Sequence, residues 1–157
     1  MGGADAGRSP RPAGGGLQRV PAASRALDLG TGTGLGARLV ARTFPDARVV
    51  GLDLAEAMAR EAAIRGGTIS YLVGDGAALP FPDAAFDLVT ALNVFVFWDE
   101  VSRILAPGGA LSIAYSAGES TPIFLSPDEL RRHLSAVRSF RFEDGRAGRG
   151  IWVLARS

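Results

Sequence analysis

The sequence has no cysteine, no lysine and one histidine, His133. Without cysteine there is no disulfide framework, no thiolate nucleophile and no thiolate metal site. One histidine does not make a histidine-built metal centre, so no metal ligands are expected. No apolar run approaches the ~18 residues that a bilayer span requires, and the N-terminus lacks the apolar core of a secretory signal. The expectation is a soluble cytoplasmic protein with no membrane partner. Excess charge is missing too: 17 basic residues, all arginine, stand against 16 acidic ones for a net charge of +1. No cluster of those arginines forms a basic stripe, which argues against nucleic acid as a partner.

What is present is 157 residues, 47% of them hydrophobic, enough for one domain with a real core. Residues 1–23 are mostly Gly, Pro, Ala and Arg with almost no apolar periodicity. They are expected to be a disordered or loosely ordered leader, with residues 24–157 forming the single domain.

That domain is organised around Ala26-Leu-Asp-Leu-Gly-Thr-Gly-Thr-Gly-Leu-Gly36. A short apolar strand runs into a glycine-rich turn, and the turn opens a helix. Gly30, Gly32 and Gly34 let the chain bend sharply and let a ligand lie against bare backbone, while the helix aims free N–H groups at the same place. This is a nucleotide-type cofactor site. The spacing alone leaves the cofactor open: Gly32-Thr-Gly-Leu-Gly-Ala37 also fits a dinucleotide pattern, with the acid Asp53 about 20 residues on. Asp28 inside the strand, and a second strand-end acid, Asp75, point away from a dinucleotide.

The remaining pattern alternates strands and helices. Strands are expected at Arg25–Leu29, Arg48–Asp53, Ile69–Val73, Phe86–Leu92 and Ala110–Tyr115, and helices at Leu35–Phe44 and Ala55–Arg65. A stub of about two helical turns fits Glu100–Leu105, and Pro107-Gly-Gly109 reads as a turn. Ser126-Pro-Asp-Glu129 is a capping box that starts a helix to about Ala136. Arg138–Glu143 and Gly150–Arg156 alternate apolar and polar residues and read as a terminal antiparallel hairpin. The fold class is α/β: a Rossmann-like, doubly wound, mostly parallel sheet ending in that hairpin. Ligands of such sheets bind at the carboxyl ends of the strands, where Gly30, Asp53, Asp75 and Asn93 fall.

Four segments in order carry a family resemblance: Leu27–Gly34; Val49–Leu54 with Met58; Gly74–Phe81 with Phe86–Val89; and Arg103–Gly109. The chain resembles class I S-adenosylmethionine-dependent methyltransferases, nearest to the small-molecule group of the ubiquinone/menaquinone-biosynthesis type (methyltransferase type 11). The resemblance spans roughly residues 26–156 and implies a seven-stranded sheet and methyl transfer to a small-molecule acceptor with S-adenosylmethionine as cofactor. It places Gly30, Thr31, Gly32 and Gly34 under the methionine and ribose portions. Asp28 matches the acid that helps to hold the methionine ammonium; the bland reading is an Asp capping its own turn. Asp53 would accept from the ribose hydroxyls, or N-cap the next helix. Leu54 and Met58 would border the adenine, although Met58 is equally a plain core residue. Asp75, beside Gly76 and Ala77, would accept from the adenine amino group, or close a turn before glycine. Asn93 falls where the methyl and methionine end would pass.

Methyl transfer is mainly an alignment problem, worth ~7–11 kcal/mol when well solved, and needs a base only where the nucleophile must lose a proton. No catalytic pair stands out. His133 sits beside Arg131 and Arg132 and reads as a solvated helix face. Phe95, Phe97 and Trp98 line the acceptor pocket or simply pack a loop, and Tyr115 is a further substrate contact by position.

Two departures from the family stand out. The helix before Pro107 is shorter by roughly two turns, about 7–8 residues, and the connection Ser116–Leu125 carries no substrate-binding insert. Little lid is therefore expected, which leaves room for a large acceptor, a protein partner or homodimer that completes the site, or a catalytically silent cofactor-binding subunit. A nicotinamide-dependent oxidoreductase is disfavoured by Asp28, Asp75 and the lack of a Tyr/Lys or His/acid pair. An RNA methyltransferase is disfavoured by balanced charge and the absence of an Asn/Asp-Pro-Pro-aromatic motif.

Overall fold

In the computed structural model, which describes residues 12–157, the apolar runs of the sequence become a seven-stranded sheet. Chain order is β1 (Arg25–Leu29), α2 (Leu35–Thr43), β2 (Arg48–Asp53), α3 (Glu56–Ile64), β3 (Ser70–Val73), β4 (Phe86–Leu92), α4 (Trp98–Ile104), β5 (Leu105–Tyr115), α5 (Pro127–Val137), β6 (Arg141–Ala147) and β7 (Gly150–Arg156), with α1 (Pro12–Leu17) ahead of them. The sheet order is β3-β2-β1-β4-β5-β7-β6. Strands β1 to β5 pair in parallel, and β7 pairs antiparallel with both β5 and β6. The order reverses between β1 and β4, and a ligand crevice opens outside the carboxyl ends at such a switch point.

Buried strands explain the unbroken apolar runs. Leu27, Leu88, Val89, Leu111, Ile113 and Leu154 have almost no exposed surface. One core, around Leu27, Val89, Ile104, Leu111, Leu130 and Leu134, lies beneath α4 and α5. The other, around Ala37, Val40, Val49, Leu88 and Trp152, lies beneath α1 and α2. The capping box forms as its sequence demands: Ser126 Oγ accepts from the Glu129 N–H, and Glu129 Oε2 accepts from the Ser126 N–H at 2.8 Å.

Two segments differ from expectation. Residues 1–11 of the expected leader lie outside the described residues, but the rest of it is ordered against the sheet. Leu17 and Val20 are buried, and α1 packs on β5, β6 and β7. Its glycine run permits the approach: a Cβ on Gly15 would lie 2.5 Å from Trp152 Nε1, and one on Gly16 would lie 2.6 Å from Ser112 Oγ. The glycines that looked like linker are a contact surface. The second difference is β5, which begins at Leu105, so that Pro107-Gly-Gly109 loops out inside the strand. Phe86 pairs with Leu105, yet Leu88 pairs with Ala110. Gly108 has φ +75°, which suits a looped-out residue.

No helix among the described residues is long and apolar enough to cross a membrane.

Candidate functional site

The turn between β1 and α2 is wound by three glycines at positive φ, Gly30 (+59°), Gly32 (+54°) and Gly34 (+85°). At Gly30 a side chain is barred twice, since a Cβ would also lie 2.4 Å from Val94 Cγ2. The turn is pinned from both sides. The Thr31 N–H donates to the Leu52 carbonyl at 3.0 Å, and the Gly32 N–H donates to Asp53 Oδ2 at 2.8 Å. The other oxygen of Asp53 accepts from the Ala55 N–H at 2.9 Å. One carboxylate therefore ties the glycine turn to the end of β2 and the entry to α3, and each oxygen keeps a lone pair for a ligand. It is not the N-cap: Ala55 occupies that position without any side-chain cap bond.

Asp75 behaves as a turn residue and as a cleft residue at once. Its Oδ1 accepts from the Ala77 N–H at 2.8 Å, which leaves Oδ2 free of intramolecular hydrogen bonds among the described residues. Asn93 at the end of β4 takes the left-handed conformation, φ +53°. Its Nδ2 donates to Ser116 Oγ at 2.7 Å, and its Oδ1 accepts from the Ser116 N–H at 2.8 Å. The ends of β4 and β5 are thereby laced together.

These residues meet around a cleft of about 440 Å³ at the carboxyl ends of β1, β2, β3 and β4. Gly30, Asp53, Leu54, Asp75, Gly76, Asn93 and Phe95 line it, and so does Phe97. Its floor is glycine-rich and sets Asp53, Asp75 and Asn93 beside the buried side chains of Leu29 and Leu52. Its rim is apolar and uncovered: Leu54 is 72% exposed, Phe95 60% and Phe97 42%. Phe95 and Phe97 meet edge to face with centroids 5.2 Å apart. Gly76 allows Phe97 close, since a Cβ there would be 3.4 Å from the ring.

Other expected site residues lie elsewhere. Asp28 is 2% exposed and lies beneath the turn, where it faces Gly36 rather than the cleft. It accepts from Thr31 Oγ1 at 2.9 Å and Thr90 Oγ1 at 2.7 Å. Burial pushes its pKa up to about 6, against those hydrogen bonds, which pull it down. Thr31 is buried with it, and Gly34 sits over the Tyr71 hydroxyl. Met58 is exposed on α3, outside the cleft lining, and Ala77 lines a second groove beside it. That groove also takes in Trp98, whose ring stacks on His133 at 5.3 Å between centroids. Tyr115 is 3% exposed, with its ring against Phe124, in the core under α5. Burial raises its phenol pKa, countered by a hydrogen bond with the Leu125 backbone.

Thr90 and Ser116 are the site residues that sequence reasoning passed over. Thr90 is a small hydroxyl on a strand that reads as apolar core, Ser116 is the first residue after β5, and nothing in the local pattern marks either. Their meaning depends on register: Thr90 pairs directly with Asp28 across β1 and β4.

Comparison with known proteins agrees with this architecture. A family model described as a methyltransferase domain matches residues 27–113, more than half of the chain. The chain belongs to that family. A demethylmenaquinone methyltransferase of Thermus thermophilus is 44% identical over 108 residues, 62% of this chain and 48% of the relative. A trans-aconitate 2-methyltransferase of Methylobacterium radiotolerans is 38% identical over 113 residues, 66% of this chain and 43% of the relative. The chain thus spans about half the length of the curated relatives it matches. Among solved structures, a Haloferax volcanii methyltransferase in complex with the Trm112 methyltransferase activator superposes with a TM-score of 0.80 at 22% identity, covering 95% of this chain and 90% of that one. An S-adenosylmethionine-dependent methyltransferase from Mesorhizobium loti gives 0.70 at 20% identity, covering 90% and 95%. These likenesses establish the Rossmann-like methyltransferase fold.

Proposed function

We propose that the chain transfers a methyl group from S-adenosylmethionine to a small-molecule acceptor. The observation that carries this reading is the cleft itself, which gathers the glycine turn, two strand-end carboxylates and Asn93 around about 440 Å³. The donor set fits the cofactor. Bare backbone at Gly30 and Gly32 admits the amino acid and ribose portions, and Asp53 retains lone pairs for two vicinal hydroxyls. Oδ2 of Asp75 can accept from an exocyclic amine, and Leu54 offers apolar surface to a flat base. Gly34 and Thr31 shape the turn from below, and Asn93 stands at the β4 end of the cleft. Asp28 acts at one remove: through Thr31 it holds the turn in shape.

S-adenosylmethionine held there by Gly30, Asp53, Asp75 and Asn93 would supply a methyl already activated by positive sulfur. The chain's share of the work is to hold the two reactants in line and to keep the bed of the cleft rigid, which is where alignment catalysis gains its rate. No side chain with a base poised toward the cleft is required for acceptors already deprotonated in water.

The test is calorimetry of S-adenosylmethionine binding to the wild type and to Asp53→Ala, with folding monitored by circular dichroism. The expected result is micromolar binding by the wild type and a loss of about a hundredfold or more on substitution, the scale of two charge-assisted hydrogen bonds at about 1.5–3 kcal/mol each. A folded wild type that binds nothing overturns the proposal.

A further inference from the structure

A second hollow, separate from the cleft, lies on the other side of the Asn93–Ser116 tie. It encloses about 260 Å³ between α1, α2 and the ends of β4 and β5, lined by Ala13, Leu35, Leu39, Arg42, Leu92 and Ser116. Leu35, Leu39 and Arg42 lie at i, i+4 and i+7, one stripe of α2. The hollow therefore runs along that helix for about 10 Å, seven residues at 1.5 Å each. Leu92 and Ser116 border it directly. Asn93, which follows Leu92 and is hydrogen-bonded to Ser116, borders the cleft. Consecutive residues, Leu92 and Asn93, thus border the two spaces. At the far end, Arg42 is exposed and makes no ion pair among the described residues, whereas seven other arginines do. Apolar walls with one free cation at the end suit an apolar body that carries an anion.

We infer that this hollow takes the methyl acceptor, and that the acceptor is an elongated apolar molecule with a carboxylate about 10 Å from its nucleophilic end, the carboxylate meeting Arg42. The inference rests on reading the neighbouring cleft as the cofactor site. The nucleophilic end lies toward Ser116 and Leu92, beside the cleft, and the apolar body lies along Leu35 and Leu39. Arg42 reads the class of acceptor and plays no part in the chemistry. In the last turn of α2, its charge also complements the helix dipole, an arrangement that leaves the guanidinium in water and available.

The experiment uses 3-(4-hydroxyphenyl)propionate as the test ligand and its uncharged amide as the control, with binding read by protein-observed NMR on the full chain. Cofactor affinity is measured by calorimetry in the same samples. In the wild type, the acid should shift resonances of Leu35, Leu39, Leu92 and Ser116 and bind more tightly than the amide. Arg42→Gln should weaken the acid about two- to fivefold, the range of an exposed ion pair, and leave the amide unchanged. Leu39→Trp should fill the hollow and abolish binding of both. Leu35→Trp, at a half-exposed position, keeps the blocking test valid if Leu39→Trp destabilises the fold. Cofactor affinity should be the same in every variant. Failure of the acid to bind the wild type, shifts confined to another surface, or equal binding of acid and amide overturns the inference, whatever the cofactor result. Loss of cofactor binding in the wild type overturns the reading of the cleft instead.

Discussion

On the floor of the cleft, Asp53, Asp75 and Asn93 all hydrogen-bond to the chain itself, through the N–H groups of Gly32, Ala55, Ala77 and Ser116. At the rim, Leu54, Phe95 and Phe97 leave much of their apolar surface in water. The floor is fixed before any ligand arrives and gives up only the lone pairs it has left over. The rim gains most of its burial when a flat or apolar ligand covers it. A site divided this way takes orientation from the floor and affinity from the rim. Changes to the two regions should therefore show up in different measurements.

The largest effect is expected at Gly30. Gly30→Ala combines left-handed backbone strain with a clash at Val94, each about 1–3 kcal/mol. It should lower the melting temperature by about 10 °C and remove cofactor binding together with stability. Gly32→Ala is the matched control. It has similar φ, but nothing lies within 4 Å of its Cβ, so only strain of about 1–2 kcal/mol should remain.

Next comes the buried carboxylate beneath the floor. The pKa of Asp28 is raised from 3.8 to about 6 in the folded chain. Between those two values the folded state holds a proton that the unfolded state has released, so this residue's contribution falls as pH rises. Wild type should lose about 2 kcal/mol relative to Asp28→Asn between pH 4 and pH 6, and only about 0.4 kcal/mol more by pH 7 and above. Denaturant titrations at pH 4, 5, 6 and 7 measure it. A pH-independent difference would show that the carboxylate is not buried as described. The ordinary acid–arginine pairs run the other way. Glu100, held by Arg103 and the Leu79 N–H, has its pKa lowered to about 2, and its contribution is lost only as pH falls toward that value.

The smallest effect belongs to the rim. Phe95→Ala should leave stability within about 0.5 kcal/mol of wild type, as befits an exposed side chain. It should weaken cofactor binding about fivefold, close to 1 kcal/mol, the scale of one aromatic contact. A large loss of stability at Phe95, or none of affinity, would erase the distinction between floor and rim.

Much of this was readable along the chain because the signals are local. Alternation, caps and glycine turns depend on residues a few positions apart, and they placed five strands and the entrances of α2 and α5 to within a residue. What was missed depends on partners far away in sequence. Thr90 looks like any β-branched strand residue until register sets it opposite Asp28. Tyr115 ends a strand whose neighbours reach the cleft, but its side chain belongs to the face beneath α5. Trp98 follows two rim aromatics and yet turns to His133 on α5. Pro107-Gly-Gly109 was correctly expected to bend, but local pattern does not reveal that strand pairing resumes on both sides of it.

The glycine run of α1 has a practical corollary for anyone who trims this chain. By composition, a cut just before Ser24 looks harmless. It would uncover the face of Trp152 against which Gly15 is pressed and the apolar patch that Leu17 and Val20 close. Bared hydrophobic sheet surface of that kind invites self-association. The piece to express is therefore one that retains Pro12–Val20, and a turbid preparation of the shorter one would be the expected consequence of removing a lid that happens to be made mostly of glycine.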